Sequence, residues 1–186
     1  LLMRLRHYSI FNELEESKIN WDYLRENNKE PLYYMPNNIN DYNTIASTHN
    51  NNLLIKHTLK YVKKYNLDKL LSLGSGRAII EYQLKLKSNL YTTVSDITNS
   101  INKIKELKIF DEVLIIDFTK KIEIDINSNT LVLLSRVDTE LEDFELKNLF
   151  KELHKKNVNH ILFIPAQLLN VKSIINSDIY ILIYLK

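Results

Sequence analysis

The sequence predicts an α/β protein with a doubly wound, mainly parallel sheet of six or seven strands and helices on both faces. Three observations lead to this prediction: short apolar runs alternate with helix-like patterns from Lys69 onward, a glycine turn follows the first run, and a carboxylate follows each of the next two. Alternation of this kind is typical of parallel sheets with right-handed crossovers. Residues 1–50 are predicted to form a helical and loop extension, and residues 51–186 the α/β domain.

Hydrophobic periodicity assigns the individual elements. The predicted strands are, in order, residues 70–73, 90–96, 112–117, 130–134, 160–164 and 179–185. Helices are expected at 53–62, 79–86, 101–109 and 141–155, with one more in the extension that ends near Asn27 and a weak one that closes near Ile175. Residues 47–50 are good N-cap types for the helix at 53–62, and the Asn-rich residues 37–43 are expected to form turns.

Composition and charge exclude several classes of protein. The formal net charge of +2 is too small to argue for nucleic acid as a partner, and the absence of cysteine excludes disulfides and thiolate chemistry. The five His residues show no metal-binding spacing, so no metal site is expected. The longest late apolar run is far short of the roughly 20 residues of a membrane span. We therefore expect a cytoplasmic protein.

Both glycines of the chain, Gly74 and Gly76, lie in one turn between an apolar run and a helical pattern. Glycine permits left-handed backbone and the close approach of a ligand, and a helix N-terminus presents backbone amides to an anion or a polar cofactor. The turn lacks the Gly-Lys pair of a phosphate-binding loop. Ile79 stands where the dinucleotide fingerprint needs its third glycine. The remaining pattern is Gly-x-Gly-x-Gly, with Ala78 in the last position.

This segment resembles motif I of the class I S-adenosylmethionine-dependent methyltransferases, commonly two apolar residues followed by Asp/Glu-x-Gly-x-Gly-x-Gly. Ser72 replaces the frequent acid, and Ala78 replaces the last glycine. Acids also follow the second and third predicted strands in the family's order. The resemblance implies S-adenosylmethionine as cofactor. The residues that it implies for cofactor binding are Ser72, Gly74, Ser75, Gly76, Glu81, Asp96 and Asp117.

Each of the three acids, Asp96, Asp117 and Glu81, has a cofactor-binding role and an alternative one. Asp96 follows the glycine turn at close to the roughly 20 residues at which a carboxylate meets ribose hydroxyls, or it caps a turn or helix. Asp117 stands where the family often holds the adenine amino group, or it is a solvent-exposed loop acid. Glu81 would approach the methionyl end of the cofactor, or it is an exposed acid on a helix face.

The family usually places substrate-binding or catalytic groups after the fourth strand, where this chain has Arg136 and Asp138. With His49, these are the candidate catalytic residues, and Asp138 or a His would act as general base. The alternative is a helix start capped by Asp138 or Thr139, with Glu142 in support. The Asn/Asp-Pro-Pro-Tyr sequence of enzymes that methylate DNA amino groups is absent after this strand. A small-molecule or glycan acceptor is therefore favoured over DNA.

We expect methyl transfer to an oxygen or nitrogen of an unidentified acceptor. A non-catalytic cofactor-binding or interaction protein is the alternative, and an NAD- or nucleotide-sugar-binding enzyme is a further one. Because an unpaired strand is an exposed edge, residues 179–185 are expected to pair beside the fifth strand or with another subunit. With no closing hairpin, and with two leucines ahead of Met3, the sequence is expected to be a truncated or partial chain.

Overall fold

The computed structural model describes residues 21–27, 34–137, 141–165 and 181–184. The helices in these ranges are α1 (Trp21–Asn27), α2 (Ile39–Thr48), α3 (Asn52–Tyr65), α4 (Ile79–Lys85), α5 (Ile101–Glu106) and α6 (Asp143–Lys155). The strands are β1 (Lys69–Leu73), β2 (Tyr91–Asp96), β3 (Glu112–Ile115), β4 (Thr130–Ser135), β5 (His160–Ile164) and β6 (Ile181–Tyr184). None of these helices is long and apolar enough to cross a membrane. The weak helix predicted near Ile175 lies outside the described residues.

The strands form one sheet in the order β3-β2-β1-β4-β5-β6. β1 to β5 are parallel to one another. The chain builds outward from β1 to β3 and then returns to build from β4 in the other direction, so the order reverses between β1 and β4. The predicted doubly wound, mainly parallel sheet is therefore confirmed. β6 runs antiparallel beside β5, which is the first of the two places predicted for the last strand.

Neighbouring residues of a strand point to opposite faces of the sheet, and both faces are apolar here. Helices therefore cover both faces. Leu71 of β1 packs with Leu149 of α6 on one face. The adjacent Leu70 packs with Ile55 of α3 on the other. That second face also carries Val94 of β2, which packs with residues of α2, α4 and α5. The carboxyl ends of the strands lie at one edge of this layered core, where the glycine turn begins.

Helix α2 is the main departure from the predicted elements, because it covers most of the stretch expected to form turns. Asn38 is its N-cap, and the side chain accepts the backbone amides of Asn40 at 2.9 Å and Asp41 at 3.0 Å. Tyr42 is fully buried in the same hydrophobic cluster as residues of α4 and α5. Capping and burial therefore outweigh the weak helix propensity of the asparagines.

The residues predicted to cap the following helix, 47–50, lie instead at the end of α2 and just after it. Asn51 is the N-cap of α3, and its Nδ2 donates to Gln83 Oε1 at 2.9 Å. Gln83 in turn donates from Nε2 to the backbone carbonyls of Ala46 at 2.8 Å and His49 at 3.0 Å. These bonds hold α2, α3 and α4 together on one face of the sheet.

Helix α6 begins later than predicted and has a different cap. Glu142 is the N-cap, and its backbone amide donates to Glu145 Oε2 at 2.8 Å within a capping box. In this capping box the side chain of each glutamate accepts a hydrogen bond from the backbone amide of the other. The alternative role considered for Asp138 and Thr139 is to cap this helix; the N-cap is Glu142 instead, and both residues lie outside the described ranges.

Candidate functional site

The turn between β1 and α4 has left-handed backbone at three positions. The φ angles are +71° at Gly74, +55° at Gly76 and +53° at Ala78. A Cβ atom built on Gly74 would lie 2.9 Å from Val137 Cγ1 and 3.0 Å from Phe118 Cε1. These contacts and the positive φ both require glycine at this position. Ala78, at the N-cap of α4, keeps the same backbone conformation in a residue for which it is strained.

Two hydrogen bonds join this turn to the end of β2. The Ser75 amide donates to the Ser95 carbonyl at 2.8 Å, and the Gly76 amide donates to Asp96 Oδ2 at 2.8 Å. The hydroxyl of Ser75 is buried and has no hydrogen-bond partner among the described residues. A buried polar atom of this kind needs a partner, which a bound ligand could provide. The turn therefore combines an approachable backbone, an unsatisfied hydroxyl and a carboxylate.

The other carboxylate oxygen of Asp96, Oδ1, accepts hydrogen bonds from the loop after β2. Oδ1 accepts hydrogen bonds from the backbone amide of Thr98 at 3.1 Å and from its hydroxyl at 2.7 Å. Nη1 of Arg25, in α1, lies 3.5 Å from the same oxygen. The Asp-x-Thr spacing is a sequence signal for such a turn. Arg25 belongs to no motif and lies far away along the chain, so only the folded structure identifies it.

A second carboxylate near the turn, that of Glu81, is buried between α4 and β1. The hydroxyl of Ser72 donates a hydrogen bond to Glu81 Oε1, and the two residues are 0% and 2% exposed. Burial raises the pKa of Glu81 to about 7, although the hydrogen bond from Ser72 acts in the opposite direction. The alternative of an exposed helix-face acid is therefore wrong. Helix α4 brings a carboxylate next to the β1 position where motif I commonly has its own acid.

Asp117 lies two residues beyond the end of β3 and repeats the Asp-x-Thr turn. Its Oδ1 accepts the amide of Thr119 at 3.1 Å and the hydroxyl at 2.5 Å, and Lys120 Nζ lies 3.0 Å from Oδ2. Partial burial acts to raise the pKa of Asp117, but the hydrogen bonds from Thr119 and Lys120 outweigh it and leave the pKa lowered. Asp117 is thus held as a carboxylate within its own turn, and its contact with a cofactor stays a prediction.

The segment after β4 contributes one of its two candidate residues to the described structure. Arg136 follows the strand with a φ of +60°, and its backbone amide donates to the Ile164 carbonyl at 2.8 Å. Its side chain is exposed at the carboxyl edge of the sheet. Asp138 lies outside the described residues. The catalytic roles predicted for these two residues stay predictions.

His49 lies just after α2, as its C-cap residue. Its Nδ1 is 2.8 Å from the Ile45 carbonyl, and its Nε2 is 3.4 Å from Nη2 of Arg77. A carbonyl only accepts and a guanidinium only donates, so the geometry fits a proton on Nδ1 and a lone pair on Nε2 that faces Arg77. This arrangement favours a structural role for His49, and its predicted role as a base stays a prediction.

The structure therefore brings most of the predicted cofactor residues to one place, the carboxyl ends of β1 and β2. These residues are Ser72, Gly74, Ser75, Gly76, Glu81 and Asp96. Asp117 and Arg136 follow neighbouring strands at the same edge of the sheet. Among the residues of the described ranges, no group of three His, Asp or Glu side chains could hold a metal ion.

Comparison with solved structures identifies the fold. The PH0226 protein from Pyrococcus horikoshii aligns with a TM-score of 0.54 at 22% sequence identity, over 76% of this chain and 65% of that one. Magnesium protoporphyrin IX methyltransferase from Synechocystis, solved with bound S-adenosylmethionine, aligns with a TM-score of 0.50 at 11% identity, over 76% of this chain and 72% of that one. No protein-family model and no curated protein sequence matches the chain.

At these identities the likeness concerns the fold. The chain has the class I S-adenosylmethionine-dependent methyltransferase fold, as its motif I-like turn predicts. It spans less than two thirds of the length of the Pyrococcus protein. Because one fold can hold unrelated activities, function has to be argued from the site itself.

Proposed function

We propose that this protein binds S-adenosylmethionine at the carboxyl ends of β1 and β2 and transfers its methyl group to an oxygen or nitrogen of a small-molecule or glycan acceptor. One observation carries the proposal, the 2.8 Å hydrogen bond from the Gly76 amide to Asp96 Oδ2. It joins a turn that a ligand can approach closely to a carboxylate that can accept hydrogen bonds from a vicinal diol. Asp96 would therefore bind the ribose.

Two exposed apolar side chains next to Asp96 support a site for adenosine. Ile97 follows Asp96 in the chain and is 53% exposed. Ile115 is the register partner of Asp96 in β3 and is 52% exposed. Exposed apolar side chains around a few polar groups are typical of a ligand site. We assign the face of the adenine ring to Ile97 and Ile115, and its amino group to Asp117. The isoleucines are not recognisable from the sequence, since single exposed apolar residues are common on protein surfaces.

The buried pair of Ser72 and Glu81 supports a site for the cationic end of the cofactor. An ammonium group near Glu81 would stabilise the carboxylate, whose pKa burial raises to about 7. The unsatisfied hydroxyl of Ser75 provides a further polar group in the same turn.

The cofactor supplies a methyl group that is already activated on a sulfonium, so the protein mainly has to align donor and acceptor. The acceptor atom forms a bond to the methyl carbon as the bond to sulfur breaks, and S-adenosylhomocysteine leaves. The acceptor proton would pass to Asp138 or His49 as general base, and Arg136 would orient the acceptor at the edge of the sheet.

Isothermal titration calorimetry with S-adenosylmethionine, S-adenosylhomocysteine and NAD tests the proposal. We expect the first two to bind at one site per chain and NAD not to bind. Binding of NAD alone would favour the alternative of a nucleotide-dependent Rossmann enzyme and contradict the proposal. Binding of both adenosyl compounds without transfer of labelled methyl to any small-molecule or glycan acceptor would favour the non-catalytic alternative.

A further inference from the structure

Helix α1 lies against the loop that follows β2, and Asp22 holds it there. Asp22 Oδ2 accepts the backbone amide of Asn99 at 3.1 Å, and Oδ1 accepts the backbone amide of Ser100 at 2.9 Å. Both carboxylate oxygens are thus used in one contact between segments that are far apart in the chain. The contact places the last turn of α1 over the end of β2, next to the proposed ribose site.

Arg25, one turn further along α1, extends its guanidinium into that site. It donates hydrogen bonds to the hydroxyls of Thr98 and of Ser100, the latter at 2.7 Å, and its Nη1 lies 3.5 Å from Asp96 Oδ1. Its Nη2 lies 3.4 Å from the point where a Cβ of Gly76 would be. The guanidinium therefore covers both the carboxylate and the open side of the glycine turn.

This arrangement closes Asp96 to solvent. The side chains of Arg25 and Asp96 are only 9% and 7% exposed. Asp96 already accepts hydrogen bonds from the backbone amides of Gly76 and Thr98 and from the Thr98 hydroxyl. Among the described residues Oδ2 accepts one hydrogen bond, from the Gly76 amide, and it can accept a further one. Nη2 of Arg25 covers the turn at this point, 3.4 Å from where a Cβ of Gly76 would be. A ligand hydroxyl that approaches Oδ2 from the open side of Gly76 would therefore meet the guanidinium of Arg25.

We propose that α1 is an autoinhibitory element, in which Arg25 competes with the hydroxyl groups of the cofactor for Asp96. The inference rests on the proposed function, because the competing ligand is the adenosyl cofactor. Binding requires α1 to leave its docked position, and this requirement lowers the apparent affinity by the fraction of molecules in which α1 is undocked. A helix of seven residues is marginal on its own, so tertiary contacts such as those of Asp22 and Arg25 stabilise its docked position.

Calorimetry with S-adenosylhomocysteine and four proteins tests this inference. Arg25→Ala removes the competing cation, and Asp22→Asn weakens the docking of α1 while leaving Arg25 in place. Both variants are expected to bind with a Kd about threefold to tenfold lower than the parent, as the undocked fraction rises. Glu26→Gln is the matched control, since this side chain is exposed on the same helix. Its Kd should equal that of the parent.

Fluorescence gives a second readout that does not depend on the variants. Trp21 is the single tryptophan of the chain, and its ring lies 5.7 Å from the Arg25 guanidinium carbon. Saturation of the parent with S-adenosylhomocysteine should therefore change the Trp21 emission as α1 undocks. Unchanged emission, or an Arg25→Ala variant that binds as the parent does or more weakly, would overturn the inference while leaving the proposed function in place. Absence of binding in all four proteins would overturn both.

Discussion

The backbone amide of Gly76 donates a hydrogen bond of 2.8 Å to the carboxylate of Asp96, and so joins the carboxyl ends of two adjacent parallel strands. The bond gives Asp96 two tasks. It holds the glycine turn in place, and it presents a carboxylate to whatever ligand the turn accepts. Substitutions at Asp96 therefore have to be judged by both stability and binding.

The two glycines should differ in their tolerance of a methyl group. Gly74→Ala should lower the free energy of unfolding by about 3 kcal/mol, because a left-handed backbone is strained and the new Cβ overlaps Val137 and Phe118. Gly76→Ala should cost about 1 kcal/mol, from backbone strain alone. Urea unfolding of both variants measures the difference. Equal losses would show that crowding at Gly74 does not matter.

Glu81 should make stability depend on pH. Its pKa is about 7 in the folded chain against 4.5 for the ordinary group, so the folded protein binds the proton more tightly. The free energy of unfolding should therefore fall as the pH rises from about 4.5 to 7 and stay low above that window.

The neutral variant Glu81→Gln keeps an oxygen for the Ser72 hydroxyl and removes the buried charge. It should be more stable than the parent at pH 8 by about 2–3 kcal/mol, and nearly equal to it at pH 4.5. Urea unfolding at several pH values measures this. Glu106→Gln, at an exposed position of α5, is the control and should give the same pH profile as the parent. A stability gain in Glu81→Gln that is the same at both pH values would contradict the assignment.

Tyr42 ties α2 to the end of the glycine turn. Its buried hydroxyl donates to the Ala78 carbonyl at 2.9 Å and also contacts the Arg77 carbonyl. Tyr42→Phe should lower the free energy of unfolding by about 1–2 kcal/mol, because a buried hydrogen bond between α2 and the turn is lost. Tyr91→Phe, at a position 48% exposed, should change stability little. Thermal unfolding compares the two, and similar melting temperatures would argue against a role for the Tyr42 hydroxyl.

Asp96 should matter more for ligand binding than the acid after the next strand. Asp96→Ala should weaken the binding of S-adenosylhomocysteine by about 1–3 kcal/mol, since buried hydroxyls lose a charged partner, and Asp96→Asn should fall between it and the parent. Asp117→Ala should have a smaller effect, because the Asp117 side chain is 23% exposed against 7% for Asp96, so water competes more strongly for its hydrogen bonds. Calorimetry at equal folded concentration compares the variants. Unchanged affinity in Asp96→Ala would show that Asp96 stabilises the turn and does not bind the ligand.

The sheet and the glycine turn could be predicted because their signals are local. Most strands are short apolar runs, and β2 is a run of β-forming residues that ends in a carboxylate. Glycines in an otherwise glycine-free chain mark the turn between β1 and α4. Helix α2 could not be predicted, because its stability comes from the burial of Tyr42 against elements that are distant in sequence.

The same limit applies within the site. The pair of Ser72 and Glu81 depends on how α4 turns its faces toward β1, which the sequence pattern does not specify. The approach of Arg25 to Asp96 depends on the docking of α1 onto a loop far along the chain. The acids at the strand ends, in contrast, follow directly from where each apolar run stops.

The most direct test of a cofactor site at this turn uses the two glycines as probes. Because Gly74 and Gly76 are the only glycines in the chain, selective ¹⁵N-glycine labelling reports on the turn through two amide resonances. Titration with S-adenosylhomocysteine is predicted to shift both resonances, with NAD leaving them in place. Two glycine resonances that do not move at saturating S-adenosylhomocysteine would contradict a cofactor site at the ends of β1 and β2.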